Sequence, residues 1–314
     1  MVTTKIHRDA LRSEAASLRA LLERSAGRDP LGSMSLQKRL AALETELAEV
    51  EGREQNVASV ALVFDGQPVR GSSAIEADFA GKALQDYQEL IAKQVAADGG
   101  QLAERGRLPD QIHQQARMNV TGLVHGSFGF VLEEDSADQL GMFETPAQKA
   151  VRSVTDLLQE VAASDGRLFE TRLDDLDIRI FQTLKRFIST LHKARSTVRV
   201  AEERRELRLD TSSLQRAFER VSNVDVEESD ETLEGELLGL VPIQRRFEFR
   251  RGDSNEVMQG RVAPNLSADY LERIEREGLV AGDGWRATIR TKTVHHPDRR
   301  HTSVSRTLID LVRA

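Results

Sequence analysis

The sequence predicts an α+β protein of several domains: a helical hairpin, then a helix-covered sheet, then a small β-barrel. Three observations predict it. Across residues 5–54 apolar side chains recur about every 3.5 positions, the seam of a coiled coil. From residue 57 the period drops to two in short stretches separated by helical segments, the pattern of hairpins with helices packed on them. After residue 232 strand-like stretches dominate, and 314 residues exceed the roughly 100–200 of one ordinary domain. The expected divisions are a helical hairpin over 1–55, a central α+β domain over 56–222, an acidic linker at 223–232 and a barrel over 233–314.

The first helix carries Leu11, Ala15, Leu18, Leu22 and Ser25 on one seam; the second carries Leu36, Leu40, Leu43, Leu47 and Val50. Between them Gly27 to Ser33 contains Pro30, which reads as a turn, with Ser33 or Ser35 as the cap of the second helix. A short turn joining two helices of similar length predicts an antiparallel hairpin. Two helices alone leave apolar area wet. Leu11, Leu18, Leu22, Leu36, Leu40, Leu43 and Leu47 are therefore expected to drive self-association or docking to a partner. The competing expectation is that the hairpin folds back on its own globular body.

In the middle segment Ala58, Val60, Leu62 and Phe64 share one face of a strand whose other face is also apolar, predicting cover on both sides. Asp65-Gly66 is a hairpin signal, with Pro68 to Gly71 as the short partner. A helix is expected from Ile75 to Ala96, then a connector through residues 98–112. Strands follow at 119–124 and 128–132, helices near 147–163 and 172–193, a third strand pair at 197–200 and 206–209, and a helix from Thr211 to Val221. Hairpins punctuated by helices predict a mostly antiparallel sheet.

Several spots invite a chemical reading. His125-Gly126-Ser127 puts a base and a hydroxyl in one tight turn, but residues two apart rarely reach a nucleophile–base geometry. Gly71-Ser72-Ser73 precedes a helix without the spacing or lysine of a phosphate loop, so an ordinary cap is expected. Asp174, Asp175 and Asp177 gather at a helix start, where carboxylates complement the dipole. On one continuous helix Asp174 and Asp177 would face together and could share a divalent cation.

In the last segment strands are expected at 233–240, 245–250, 256–262, 285–294 and 305–312, with a short helix at 267–277. The order β-β-β-α-β-β predicts an OB-like barrel, with an SH3-like barrel as the near competitor. Gly260 fits a barrel corner. Trp285, Ala287, Ile289 and Thr291 alternate inward with Phe247 and Phe249, leaving Arg246, Arg250, Arg286, Arg290 and Lys292 outside as a candidate basic stripe. His295, His296 and His301 flank a charged loop, and Arg299 and Arg300 there disfavour a cation.

Composition bounds the function. Lys and Arg total 44 against 51 Asp and Glu, a net charge of −7, which excludes coating nucleic acid by bulk positive charge. There are no cysteines, so disulfides and thiolate chemistry are excluded and a reducing, cytoplasmic setting is expected. The N-terminus lacks the apolar core of a signal peptide. The resulting expectation is a non-catalytic cytoplasmic assembly or adaptor protein. It would form a homo-oligomer or dock a protein through the coiled coil and contact a protein or nucleic-acid partner through the basic stripe, with no cofactor, metal or membrane. The alternative is a metal-dependent phosphoester hydrolase centred on the middle domain, using Asp174, Asp177 and His125.

Overall fold

In the computed structural model, β1 (Ser59–Gly66) lies between β5 (Phe128–Glu134) and β6 (Ser196–Glu202), with β4 (Met118–Leu123) and β7 (Arg205–Leu209) at the edges. Residues 5–25, 30–52, 58–102, 106–124, 128–135, 144–202, 205–241, 243–263, 266, 282–296 and 301–314 are described. Every pairing in this sheet is antiparallel. Val60, Leu62 and Phe64 face a helical layer of α3 (Ala77–Asp98), α5 (Pro146–Ala162), α7 (Ile178–Lys193) and α8 (Thr211–Asn223). The apolar stripe of α7 (Ile180, Leu184, Phe187, Leu191) is wholly buried there, as its width predicts.

The opposite face of β1 is buried as well. Ala61 pairs with Ala201 across β1 and β6, and both are solvent-inaccessible, as Val63 nearly is. On this shallow floor α1 (Lys5–Ser25) runs against β6. Leu11 and Ala15 of α1 and Leu43 of α2 (Pro30–Gly52) are buried; Leu18, Leu22, Leu36, Leu40 and Leu47 are half-buried. Exposed ion pairs Glu14–Arg39 (2.9 Å) and Arg19–Glu44 (2.6 Å) link α1 to α2, each worth well under about 1 kcal/mol. Pro30 opens α2 instead of lying in a turn, because a first helical position needs no amide donor.

Three expectations for the middle segment are corrected. Val69–Arg70 (β2) pairs with Ala74–Ile75 (β3), not with β1, whose two edges are taken by the longer apolar strands β5 and β6. The connector contains α4 (Asp110–Gln115), whose Ile112 is buried; one turn and a half is too short to leave a period. The helix expected over 172–193 is broken into α6 (Arg167–Asp175) and α7. Leu176 is extended, and the Asp177 carboxylate accepts from the Arg179 amide (2.7 Å) to start a new helix. The turn at 125–127 and the helix at 267–277 lie outside the described residues.

Five strands form a closed barrel: β8 (Asp225–Val241), β9 (Arg246–Arg251), β10 (Val257–Val262), β11 (Gly282–His296) and β12 (His301–Arg313). β8 pairs with β9 and β11, β9 with β10, β11 with β12, and β10 with β12 in parallel. Trp285, Ala287, Ile289, Phe247 and Phe249 fill the interior on the expected alternation, joined by Leu237, Leu308 and Leu311.

The acidic linker is corrected most. Residues 225–232 are the first half of β8 and pair with β11, from Asp225↔His295 to Thr232↔Thr288. So few apolar residues read as a loop, but the pairing places Glu228 opposite Lys292, Asp230 opposite Arg290 and Glu234 opposite Arg286. Opposite charges facing across a pair stabilise a ladder that has little to bury. At the far end the pair Val226↔Val294 packs on the central core, so one strand pair serves both the barrel and the central domain.

Candidate binding cleft

The corner between α6 and α7 faces the outer wall of the barrel, and the two, with the end of α3 and the residues after it (Ala97, Gly100 to Leu102), line an open cleft of about 890 Å³. From the corner come Asp174, Asp175, Leu176 and Asp177. The barrel supplies Glu228 from β8, Gln244 to Arg246 from the β8–β9 turn and the start of β9, Gln259 to Val262 from β10, Arg290 and Lys292 from β11, and Val304 to Thr307 from β12. Six of these side chains are cationic (Arg245, Arg246, Arg261, Arg290, Lys292, Arg306), four are acidic, and none is aromatic.

The expected basic stripe is redistributed. Lys292 does point away from the barrel interior, but outside the barrel is not outside the protein: the α6–α7 corner covers it and it is only 7% exposed. Its ammonium donates to the carbonyls of Leu173 and Leu176, and to that of Asp174 at 3.4 Å. A cation is favoured at a helix C-terminus, where carbonyls lack partners. Burial lowers the Lys292 pKa, opposed by Glu228, Asp174 and Asp177. Arg290 is held by Asp230 (3.1 Å), Arg286 by Glu234 (2.7 Å) and Arg250 by Glu236. Of the five residues expected to project freely, only Arg246 is exposed with no ion pair among the described residues.

Arg245, Arg261, Arg306 and Glu228 were not singled out by sequence reasoning. Arg245 adopts a positive φ (51°), and its carbonyl accepts from the Val262 amide (2.9 Å), tying the β8–β9 turn to the end of β10. Its side chain has no ion pair among the described residues. Adjacent Ile243 is 91% exposed, so the turn offers an aliphatic group beside two guanidiniums. Arg261 pairs with Asp175 (2.8 Å) across the cleft, and Arg306 lies 4.0 Å from Glu256. The only signal for the Arg245–Arg246 pair is two adjacent arginines shortly after a proline in the sequence.

The carboxylates are engaged in structural roles. Asp174 accepts from the Ser303 hydroxyl, Asp175 holds Arg261, and Asp177 caps α7. Glu228 makes no hydrogen bond or ion pair with a described residue. Burial, with Asp177 next in weight, pushes its pKa up to about 7 against the pull of Lys292. Among the described residues no group of three or more His, Cys, Asp or Glu side chains converges as a metal would require. His125 lies outside the described residues; His295 bonds Thr302 (3.2 Å), and His192 stacks on Phe218. Comparison with known protein families, curated proteins and solved structures gives no match.

Proposed function

We propose that this is a non-catalytic adaptor protein that docks an acidic segment of a partner protein in the cleft beside the barrel. The observation that carries this reading is the Arg245–Arg246 turn lining the cleft, which has no ion pair to a described residue and adjoins exposed Ile243. Guanidiniums without a partner suit carboxylates, which they bind in a bidentate fork. Among the described residues no aromatic side chain lines the cleft, whereas single-stranded nucleic acid is bound by stacking its bases on aromatic platforms. The strand order, with a parallel third–fifth pair, supports an OB-like barrel. Such barrels bind on their second and third strands and the loops after the first and fourth, here β9, β10 and the Arg245–Arg246 turn. A cytoplasmic setting belongs to the same reading, on the absence of cysteine; no helix among the described residues is long and apolar enough to cross a membrane.

Fluorescence anisotropy with an acidic peptide carrying one or two aliphatic residues tests the docking. Binding should weaken with salt and fall at least tenfold, about 1.4 kcal/mol, in the Arg245→Glu, Arg246→Glu double variant. Equal affinity in the variant, or tighter binding of a single-stranded oligonucleotide than of the peptide, would remove this reading.

Self-association through α1 and α2 as a coiled-coil hairpin is a second part of the proposal. It rests on the half-buried Leu36, Leu40 and Leu47 and on Leu21 and Met34, which are largely exposed. The buried Leu11 and Leu43 are already used within the chain. Native mass should therefore be that of an oligomer, reduced to the single chain by Leu40→Asp with Leu47→Asp. A monomeric wild type would defeat it.

A further inference from the structure

Glu228 is the one acidic residue of the cleft without a hydrogen bond or ion pair to a described residue. It is half-buried on the cleft floor, and the ammonium directly across the strand pair is turned away onto three carbonyls of the α6–α7 corner. The charges around it are otherwise committed. Along β8, Asp230 is held by Arg290; on the corner, Asp174 is held by Ser303 of β12, and Asp175 by Arg261 of β10. Asp177 faces Glu228 with like charge, and its own carboxylate is spent on the start of α7. Arg306 completes the wall from β12.

Resting on the docking reading above, we propose that Glu228 is a proton-controlled gate for the cleft. Ionised, it repels an incoming acidic segment; protonated, it leaves the arginine wall to attract one. The physical setting favours such a switch. A carboxylate withdrawn from water beside Asp177 and Asp230 titrates near neutrality, at about 7. A peptide carboxylate, at roughly 4, stays ionised throughout that range, so the change arises in the protein. The six cationic and four acidic side chains become six and three when Glu228 takes up a proton.

The same group sets a stability trend with a definite sign. Its folded pKa lies above its unfolded one, so between them the native state binds the extra proton and stability falls as pH rises through about 7. The Glu228→Gln variant should therefore melt above wild type at pH 8 and with it at pH 5. In the anisotropy measurement, wild-type affinity for the acidic peptide should rise about tenfold from pH 8 to pH 6. Glu228→Gln should hold the higher affinity at both. Peptide binding with the same pH profile in wild type and variant overturns the gate and leaves the docking reading standing. No peptide binding at any pH, with Arg245 and Arg246 intact, overturns the docking reading and the gate with it.

Discussion

Replacing Lys292 with alanine should lower the free energy of unfolding by about 3 kcal/mol, the scale for removing one partner from a buried charged network. The ammonium donates to the Leu173, Asp174 and Leu176 carbonyls at the end of α6. Without it these carbonyls lose a charged donor under the barrel wall, and Glu228, Asp174 and Asp177 lose an attracting cation. The loss should also loosen the barrel from the α6–α7 corner, since this contact lies where the β8–β11 ribbon passes from one core to the other. Urea unfolding measures the effect. Lys292→Met keeps the aliphatic stem and removes only the charge; full stability in that variant would mean the stem, not the ammonium, anchors the barrel.

Gly260→Ala should cost a comparable amount, about 2–4 kcal/mol. A Cβ at this position in β10 would sit 2.2 Å from the Arg306 carbonyl oxygen of β12 and 2.9 Å from the Phe247 ring. Neither can yield cheaply: the first is backbone, and the second is fully buried in the barrel interior. Among the described residues the barrel closes on this side through the pairs Arg261↔Thr307 and Val262↔Leu308 and the Ala263 amide on the Leu308 carbonyl (2.9 Å), so forcing β10 and β12 apart opens the cylinder. Gly239→Ala in β8 is the matched control, because a Cβ there meets nothing within 4 Å. A Gly260→Ala protein as stable as Gly239→Ala would show that the closure tolerates displacement and that the close approach has no energetic weight.

The candidate cleft was only partly legible in the sequence. Lys292 and Arg290 were readable as outward-facing cations from the alternation set by Trp285, Ala287 and Ile289. Their partners were not, because Asp230 and Glu228 sit some sixty residues earlier in a stretch whose composition resembles a loop. A charged strand announces itself only through the strand it faces. The aspartates at 174, 175 and 177 were visible as a cluster, but one continuous helix was assumed under them. The break at Leu176 instead puts Asp175 on the barrel's Arg261 and Asp177 on the next helix. The Arg245–Arg246 turn was the faintest signal of all, since two adjacent arginines acquire meaning only when a strand end and a helical corner stand beside them.

Local pattern was enough to name the elements and their inward sides. The β1 run with two apolar faces, the wide stripe of α7 and the aromatic alternation of β9 and β11 are properties of consecutive residues, and short-range geometry reads them directly. The fate of the outward sides was a different matter. A side chain's direction relative to its own strand follows from its position in the sequence, whereas its contact with water depends on which distant segment is packed over it. That is why Lys292 points out of the barrel and is nevertheless buried, and why an acidic stretch with almost nothing to bury becomes the longest strand of the described chain.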